Sequence, residues 1–460
     1  MSPQEKLFRG KIVGLIVVCG LFILLVSFHV PGVNGPAYWM WSWRRLNGIP
    51  LFPSAILGLL PFLLAQGVNA RNHKQTGLSI GLLMMSSLLL QLIFLAVQSV
   101  PLSLDRLARI VESPGATSYF TDAAKLSLSG LTSQRHWMQY FPSLQPYFAI
   151  HSTNKPPGPI LYYLLVIQYF GVTARAAWVA GLGVGVLSVL AIPATYRMLR
   201  QLLGDHSRAF CGASFLSLCP AFVLFFPELD PFYGVLTCLL ILAWHDAMVT
   251  RHRIPLVLFA LIASLAFFMS YSMMVLGFFL IGYAMMQPHH PHQWEIFGKK
   301  VLFIGLIVVS VYGFLYAATG FNALRSFKVA FFLARKQTLV LGRGFPHTIP
   351  YDFLDFALGS GWLGILLACY YFVPFPKEGL KRWSPEGRLS FLSVLQIGVV
   401  GMLALLPGET ARVWLFMLPL LMIPVGCELA TWSLRARCTA YVALWAISVV
   451  VCQNMVFIQP

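Results

Sequence analysis

Long uninterrupted runs of apolar residues recur along the chain and determine its class. The clearest runs extend for roughly 18 residues or more without a charge, which is the length that crosses a bilayer as a helix. They lie at 12–30, 78–97, 301–319 and 389–406. In lipid, the backbone must satisfy its own hydrogen bonds, and a helix does so within one segment. The pattern therefore predicts an all-α, polytopic helical membrane bundle.

Composition and charge agree with this class. Hydrophobic residues make up 58% and charged residues 10% of the chain, whereas about 25% of a soluble domain is charged. The formal net charge of +17 would suggest nucleic acid in a soluble protein. In a membrane protein, short cytoplasmic loops rich in Lys and Arg explain it, and no nucleic-acid-binding motif occurs. The cysteines form no CxxC pair and read as small core residues.

The distribution of Lys and Arg predicts the topology. Lys6, Arg9 and Lys11 place the N-terminus in the cytoplasm. Alternation then places four segments outside, at 98–155, 227–231, 320–355 and 407–412. Two apolar runs lie between an outside segment and the next basic loop, at 156–172 and 176–196. If both crossed the membrane, they would break the alternation of inside and outside loops. The first is therefore predicted to be re-entrant or interfacial, or the second not to be a full span. About 13 spans result, with an extracytoplasmic active face in a plasma (inner) membrane.

Acids are scarce, and the 58-residue outer segment 98–155 carries several of them. Asp105, Glu112 and Asp122 are candidates for a catalytic carboxylate in an outward-facing cavity. Two parts of this segment, 102–111 and 120–128, are predicted to be short amphipathic helices lying on the membrane. A long loop in a compact bundle is usually functional. The alternative is a solvated loop whose acids balance nearby cations.

Three further outer features concentrate charge. Glu409 and Arg412 stand three residues apart between two apolar runs, so they share one helical face. The Arg can bind phosphate and the Glu can orient it, or the two form a structural ion pair. Arg335 and Lys336 belong to a basic segment with interleaved Phe residues, which suits anionic membrane lipids or has no role. Asp230, with Glu228, is either a helix cap or part of the same cavity.

Four short motifs in this order resemble a known family. Ser118-Tyr119-Phe120-Thr121-Asp122-Ala123 precedes Lys155-Pro156-Pro157-Gly158-Pro159, which opens a helix after the long outer loop. Leu229-Asp230-Pro231 and Gly408-Glu409-Thr410-Ala411-Arg412 follow. This arrangement resembles the GT-C superfamily of polyprenyl-phosphate-dependent glycosyltransferases, which includes protein O-mannosyltransferases and aminoarabinose transferases. The resemblance covers roughly residues 100–420.

The resemblance implies a single transmembrane domain of GT-C type. In this interpretation residues 1–77 add N-terminal spans, 78–420 form the GT-C-like module, and 421–460 form C-terminal spans. Family members usually carry an acid soon after the first span, but segment 31–50 contains none. The family's Asp-Glu doublet is also missing, so the three loop carboxylates compete for the role of base.

The implied chemistry is transfer of a sugar from a polyprenyl-phosphate donor to a lipid, glycan or protein acceptor. Asp122, Glu112 or Asp105 would activate the acceptor. The substrate-binding candidates are His151, Lys155, Tyr119, Asp230, Arg335, Lys336, Glu409 and Arg412. No metal-ligand spacing is present, and a divalent cation stays open as the cofactor.

Two other classes of protein compete with the enzyme. A transporter or flippase for a lipid-linked or anionic substrate would place ionisable residues near the midplane and often shows internal repeats. Here the acids cluster at outer helix ends and no repeat is evident, which favours the enzyme. An assembly subunit without activity is the third interpretation, because the Asp-Glu doublet is missing.

Overall fold

Helices account for nearly all regular structure in the computed structural model. It describes residues 3–34, 41–46, 51–99, 103–131, 134–250, 252–286, 293–373, 383–456 and 458. The α-helices are α1 (Pro3–Ser27), α2 (Leu51–Arg71), α3 (Thr76–Val97), α4 (Arg106–Glu112), α5 (Tyr119–Leu128), α6 (Gln134–Leu144), α7 (Gly158–Phe170), α8 (Ala174–Val189), α9 (Ala191–Leu203), α10 (His206–Leu218), α11 (Pro220–Leu224), α12 (Asp230–Val249), α13 (Ile254–Met269), α14 (Gly277–Met285), α15 (Gln293–Thr319), α16 (Ala323–Val340), α17 (Ile349–Gly359), α18 (Leu363–Phe372), α19 (Pro385–Met402), α20 (Thr410–Val413), α21 (Leu418–Ala430) and α22 (Leu434–Asn454).

Short elements complete this inventory. The 3₁₀ helices are His73–Gln75, Gln145–Tyr147, Tyr271–Leu276 and Leu415–Met417. Two-residue strands β1 (Ser42–Trp43) and β2 (Met455–Val456) pair antiparallel. This pairing joins the segment after α1 to the end of the chain. The prediction of an all-α bundle is confirmed for the described residues.

By length and composition, seven described helices can cross a membrane, or up to eight if a bent pair forms one span. The bent pair is α17 and α18, whose axes meet at 99°. The predicted count of about 13 spans is therefore not confirmed. Several apolar helices in the described parts are shorter than the roughly 20 residues that a crossing needs.

The two apolar runs at 156–172 and 176–196, which conflicted with the predicted alternation of loops, form one short helix and one long helical segment. Helix α7 has 13 residues and is about 20 Å long at 1.5 Å per residue. The next run, Ala174–Leu203, combines α8 and α9 into a candidate span of 30 residues. The length of α7 thus agrees with the prediction that the first run is not a full span.

Close contact between two glycines builds the centre of the bundle. Helices α10 and α21 are almost wholly buried. A Cβ at Gly426 would lie 2.4 Å from the carbonyl oxygen of Arg208, and one at Gly212 would lie 3.0 Å from that of Met422. Small residues let two helix backbones approach closely, a common device in membrane bundles because lipid gives no hydrophobic drive for association.

The four segments predicted to lie outside come together at one end of the bundle. Segment 98–155 contacts 320–355 through Asn154 and Gln337, whose side chains are 3.0 Å apart. Arg412, in 407–412, contacts His151 of the first segment and Glu228 of 227–231. We call this the cavity end. Which side of a membrane it faces stays a prediction.

The opposite end carries the loops predicted to be cytoplasmic. The Nζ of Lys11 lies 2.6 Å from Glu428 Oε1, and Lys300 Nζ donates to the carbonyl of Ala247 at 2.6 Å. That this end faces the cytoplasm stays a prediction from charge.

Both short loop helices predicted in 98–155 are present, with one shifted start. Helix α5 agrees closely with the predicted 120–128, while α4 begins four residues later than predicted. Arg106 explains the start of α4, because its buried guanidinium donates to the carbonyl oxygens of Gln98 and Ile458, at 3.0 and 2.5 Å. This contact ties α4 to the chain end. Whether α4 and α5 lie on a membrane surface is untested.

Candidate active site

A cavity of about 560 Å³ opens at the cavity end, between α16 and the segment 404–413. Its lining combines a cluster of charged and polar side chains around Arg412, the polar half, with a mostly apolar surface on α16 and the neighbouring turns, the apolar half. The polar half consists of Tyr119, His151, Asn154, Lys155, Glu228, Asp230, Arg343, Glu409 and Arg412. The apolar half consists of Phe327, Ala330, Phe331, Ala334, Leu339, Leu341, Phe345, Leu405 and Leu406, and α16 adds the polar side chains of Arg335, Gln337 and Thr338 to it. Such a division suits a ligand with an anionic head and a hydrocarbon tail.

Arg412 is the centre of the polar half. Its guanidinium is buried and faces three carboxylates: Glu409 at 2.7 Å, Glu228 at 3.5 Å and Asp230 at 3.8 Å. Burial lowers the pKa of Arg412, but Glu409 and then the other two carboxylates reverse this and raise it above its usual range. Among the described carboxyl groups, Glu409 accepts a hydrogen bond from Arg412, while Glu228 and Asp230 lie at longer range. The geometry of Arg412 fits a role in holding the carboxylates better than direct phosphate binding.

Glu409 bridges two arginines in a backbone conformation that side chains rarely adopt. One carboxylate oxygen contacts Arg412 and the other contacts Arg343 at 3.0 Å. Burial alone would raise the pKa of Glu409, but Arg412, His151 and Arg343 lower it to about 2. Gly408 and Glu409 have φ of +82° and +53°. Such left-handed conformations persist where the surroundings over-determine them, often at functional sites.

Gly408 is required at its position for two reasons. Its φ of +82° favours glycine. A Cβ there would also lie 2.6 Å from Cδ of Arg343. The missing side chain thus gives Arg343 room to reach Glu409. Any other residue would displace this arginine from the cavity wall.

Two buried carboxylates on α17 hold the 408–412 turn from behind. Asp352 Oδ1 accepts the backbone N–H of Gly408 at 2.8 Å, and Asp355 Oδ2 accepts that of Ala411 at 2.9 Å. The other Asp355 oxygen accepts the indole N–H of Trp41, from the segment between α1 and α2. Asp352 and Asp355 therefore position Glu409 and Arg412 without lining the cavity.

His151 is held as a neutral ring. Burial and the nearby charge of Arg412 lower its pKa to about 3. Nδ1 lies 3.1 Å from Arg412 Nη2, and Nε2 lies 3.0 Å from the carbonyl of Gly115. Arginine can only donate and a carbonyl can only accept. These contacts assign the Nε2–H tautomer, in which His151 links the turn before α5 to Arg412.

Lys155 differs from Arg343 and Arg412 because it forms no ion pair with any described residue. It is partly buried and lines the cavity one turn before α7. Burial lowers the pKa of its ammonium, and the nearby charge of Asp230 raises it. A lysine ammonium is a compact point charge that commonly binds phosphate. Lys155 is therefore the cation most available to an anionic ligand in the polar half.

The two remaining cavity carboxylates differ in environment. Glu228 precedes α12 and its side chain is 2% exposed; burial raises its pKa to about 8, although Arg412 opposes the shift. Asp230 begins α12, and its only charged contact within the described chain is Arg412 at 3.8 Å. No described residue donates a hydrogen bond to the Asp230 carboxylate. Of the cavity carboxylates, Asp230 is the least engaged.

The three loop acids predicted as catalytic do not line the cavity. Asp105 and Glu112 are exposed. Asp122 is fully buried; it accepts the backbone N–H of Ala149 at 2.9 Å and the ammonium of Lys125 at 3.1 Å. It thereby fixes the chain just before His151. The structure brings none of the three into the cluster around Arg412, and their catalytic role remains a prediction.

The predicted binding residues divide between the cavity and its rim. Tyr119, His151, Lys155, Asp230, Glu409 and Arg412 all line the polar half, and Arg335 lines the cavity from α16. Lys336 is exposed and faces away from it. The structure thus brings together residues that lie up to 293 positions apart in the chain. Their individual roles in binding remain proposals.

The sequence analysis considered Glu228, beside Asp230, as a possible cavity residue, but it did not select Arg343, Asp352 and Asp355 as site residues. The sequence did offer a signal for Asp352 and Asp355. The chain has only 15 acids, and these two stand three residues apart, so they share one helical face. For Arg343 no sequence signal separates it from the other cations of its segment. The described residues contain no group of three or more His, Cys, Asp or Glu that could hold a metal ion.

Part of the chain, including several residues of the cavity lining, matches a known protein family. Residues 154–314, about a third of the chain, match the model of the family described as dolichyl-phosphate-mannose-protein mannosyltransferase. The match supports membership in the GT-C superfamily and thus confirms the resemblance. It begins one residue before Lys155 and includes Asp230. No curated protein and no solved structure gives a significant match to the chain.

Proposed function

We propose that the protein transfers a sugar from a polyprenyl-phosphate donor to a lipid, glycan or protein acceptor at the extracytoplasmic face of a plasma (inner) membrane. The observation that carries the proposal is the division of the cavity into a charged half and an apolar half. The donor has the same two parts, a phosphate and a hydrocarbon chain. The family match supports the same chemistry.

In this proposal Lys155 binds the donor phosphate, because it is the polar-half cation without an ion pair among the described residues. The isoprenoid chain lies along the apolar half between α16 and Leu405–Leu406. Burial of both parts in one cavity orients the sugar carbon toward the carboxylates. Orientation of two reactants supplies a large part of enzymatic rate enhancement.

Asp230 is the proposed base. It accepts the proton of the acceptor hydroxyl or amine while that atom bonds to the anomeric carbon. The bond from this carbon to the phosphate oxygen breaks, and polyprenyl phosphate leaves with its charge held by Lys155. Glu409 and Glu228 remain bound to Arg412 and keep the site assembled. General-base catalysis contributes about 10²–10⁴-fold to a rate.

A transfer assay tests the proposal. Purified protein receives radiolabelled polyprenyl-phosphate sugars, mannose among them, with a membrane extract as acceptor. We expect transfer by the wild type, loss with Asp230→Asn, and weakened polyprenyl-phosphate binding with Lys155→Met. Asp122→Asn, Glu112→Gln and Asp105→Asn test the loop carboxylates in parallel. Binding of polyprenyl phosphate without turnover of any donor sugar would instead favour a flippase.

A further inference from the structure

Helix α16 has two faces with different chemistry. The face toward the protein is polar and small: Ser326 Oγ contacts Gln145 Oε1 at 3.2 Å and Tyr271 Oη at 2.9 Å, and Ala330 is buried. Nearer the C-terminal end, Gln337 contacts Asn154. These contacts hold α16 over the cavity and leave its opposite face uncovered.

The uncovered face carries a regular alternation of apolar and cationic residues. Leu324, Lys328, Phe332, Lys336 and Val340 follow one another at four-residue spacing, and all are exposed. The apolar members are 77%, 67% and 75% exposed, respectively. At 100° per residue, successive positions shift by about 40°, so the five form one continuous ridge. Arg325 lies beside the start of this ridge, which we call the α16 ridge.

The cations of the α16 ridge have no counter-charge in the described chain. Arg325, Lys328 and Lys336 form no ion pair with a described residue, and α16 contains no acid between Ala323 and Val340. Exposed cations on a soluble surface are ordinary, but here they alternate with large exposed hydrophobic side chains. Water suits the lysines and disfavours Leu324, Phe332 and Val340. One environment satisfies both types of residue: the interface of a bilayer, where lysine heads extend toward headgroups while apolar groups enter the acyl region.

The connections of α16 place it near a membrane surface. It follows α15, a candidate span of which only 6% is buried inside the protein, after three residues. It precedes the bent pair of α17 and α18, which itself qualifies as a candidate span. A helix held at both ends by membrane segments lies within reach of the lipid. Its ridge points away from the bundle, so no described part of the chain covers it.

We propose that the α16 ridge docks on the bilayer surface at the cavity end and binds anionic lipid headgroups through Arg325, Lys328 and Lys336. The apolar members anchor the helix, and the cations select negatively charged lipids. Because α16 residues beside the ridge, Phe331 and Arg335 among them, line the cavity, the lipid surface holds that wall in place. The proposal does not depend on sugar transfer.

Site-directed fluorescence tests the depth of the ridge. Phe332→Cys, in a Cys369→Ser background that removes the exposed cysteine, is labelled with an environment-sensitive fluorophore in lipid nanodiscs. Val309→Cys in α15 serves as the lipid reference and Lys74→Cys as the aqueous reference. The Cys369→Ser protein alone gives the background labelling. We expect acyl-brominated lipid to quench position 332 less than 309 and clearly more than 74.

Headgroup selectivity is measured with the same label. Spin-labelled phosphatidylglycerol and spin-labelled phosphatidylcholine compete to quench position 332, and we expect the anionic lipid to be enriched. Arg325→Gln, Lys328→Gln and Lys336→Gln together should remove the enrichment, by roughly fivefold per cation, since each cation near a charged surface contributes about 1 kcal/mol. The matched control replaces Lys74, Arg253 and Arg435, exposed cations at the opposite end, and should leave the enrichment unchanged.

Three results would overturn the proposal. Quenching by aqueous iodide as strong at 332 as at 74 would place the ridge in water. Equal quenching by the two spin-labelled lipids in the wild type would remove headgroup selectivity. A label protected from both iodide and lipid quenchers would show that a second protein surface covers the ridge. None of these outcomes bears on sugar transfer, which the radiolabel assay measures separately.

Discussion

Both ends of the bundle bury a carboxylate beside a cation, yet only one end has the features of a site. At the opposite end, Lys11 and Glu428 form one pair at 2.6 Å, and Glu428 also accepts the indole N–H of Trp432 at 2.9 Å. One cation meets one anion. At the cavity end, three carboxylates surround Arg412 while Lys155 has no such partner.

The difference shows which feature carries information about function. A buried ion pair is expensive to desolvate, and it is found where its geometry is fully satisfied. The Lys11–Glu428 pair meets this condition by joining α1 to α21, and nothing remains for a ligand. At the cavity end the charges are unevenly matched and face an open volume of about 560 Å³. Imbalance beside a cavity therefore points to function, whereas burial of charge alone does not.

The largest expected effect is on the rate of sugar transfer, which should depend on a carboxylate at the cavity end and not on one at the opposite end. Asp230→Asn should lower sugar transfer about 10²–10⁴-fold, because it removes the proposed base. Glu428→Gln should leave the transfer rate per folded protein unchanged. The rates are measured with radiolabelled donor, after quantifying monodisperse protein by size-exclusion chromatography. Retention of wild-type activity by Asp230→Asn would show that the base lies elsewhere.

The next largest effect is on stability, and it concerns the ion pair at the opposite end. Lys11→Met should cost about 3–5 kcal/mol, since it leaves Glu428 buried without its cation. Thermal unfolding in detergent measures the loss. The double variant Lys11→Met with Glu428→Gln should recover part of it, because the uncompensated charge is then absent. A loss in the double variant equal to the sum of the losses in Lys11→Met and Glu428→Gln would mean that the two side chains do not interact.

Asp355→Asn tests the support behind the 408–412 turn. The substitution replaces one accepting oxygen with an amide N–H₂ that faces a donor, either Trp41 or Ala411. We expect kcat to fall about tenfold, with little change in polyprenyl-phosphate binding, because a small misplacement of catalytic groups is costly. Asp246→Asn, whose carboxylate contacts Gln201 at the opposite end, is the matched control. A loss of binding equal to the loss of kcat would indicate general damage to the fold.

The pH dependence of stability distinguishes Glu228 from Glu409. The folded-state pKa of Glu228 is raised to about 8, so its contribution is fully present below pH 4.5 and is lost as the pH rises through 8. For Glu409 the pKa is lowered to about 2, so its contribution is present above pH 4.5 and is lost as the pH falls toward 2. Glu228→Gln should therefore reduce the decline in melting temperature between pH 4.5 and 8, where each pH unit represents at most about 1.4 kcal/mol. An unchanged slope would show that Glu228 is ionised in the folded protein.

The smallest expected effects belong to two exposed loop acids. Asp105→Asn and Glu112→Gln should change transfer by less than about twofold, because neither side chain lines the cavity and exposed substitutions are usually mild. The assay is the one used for Asp230→Asn. A loss above tenfold with either variant would return the catalytic role to the long outer loop.

Several features followed directly from the sequence because they depend on local or one-dimensional properties. Apolar runs longer than a bilayer predict helices wherever they occur, and the described chain contains such helices at 51–71, 73–97 and 295–319. The segments predicted from charge to lie outside come together at one end of the bundle. The motifs around Lys155, Asp230 and Arg412 were also recognised, since each is a short contiguous pattern.

The roles of individual charges could not be derived in this way. Asp122 and Asp230 look alike in sequence. Asp122, however, is buried and accepts the backbone N–H of Ala149, whereas Asp230 lines the cavity. Arg412 and Lys155 are both cations at outer helix ends, yet of the two only Arg412 forms ion pairs with described carboxylates. Such differences depend on which distant segments come into contact.

The sequence by itself determined the membrane class, the helical architecture, the sorting of loops and the family resemblance, because hydrophobicity and charge act along the chain. Only the tertiary structure decided which carboxylates meet Arg412, which cation stays available and which acids of α17 support the 408–412 turn. The physical reason is that ionisation and hydrogen bonding depend on distance and burial in three dimensions. Residues 151, 228, 343 and 412 acquire a shared chemistry only when the fold brings them within a few ångströms.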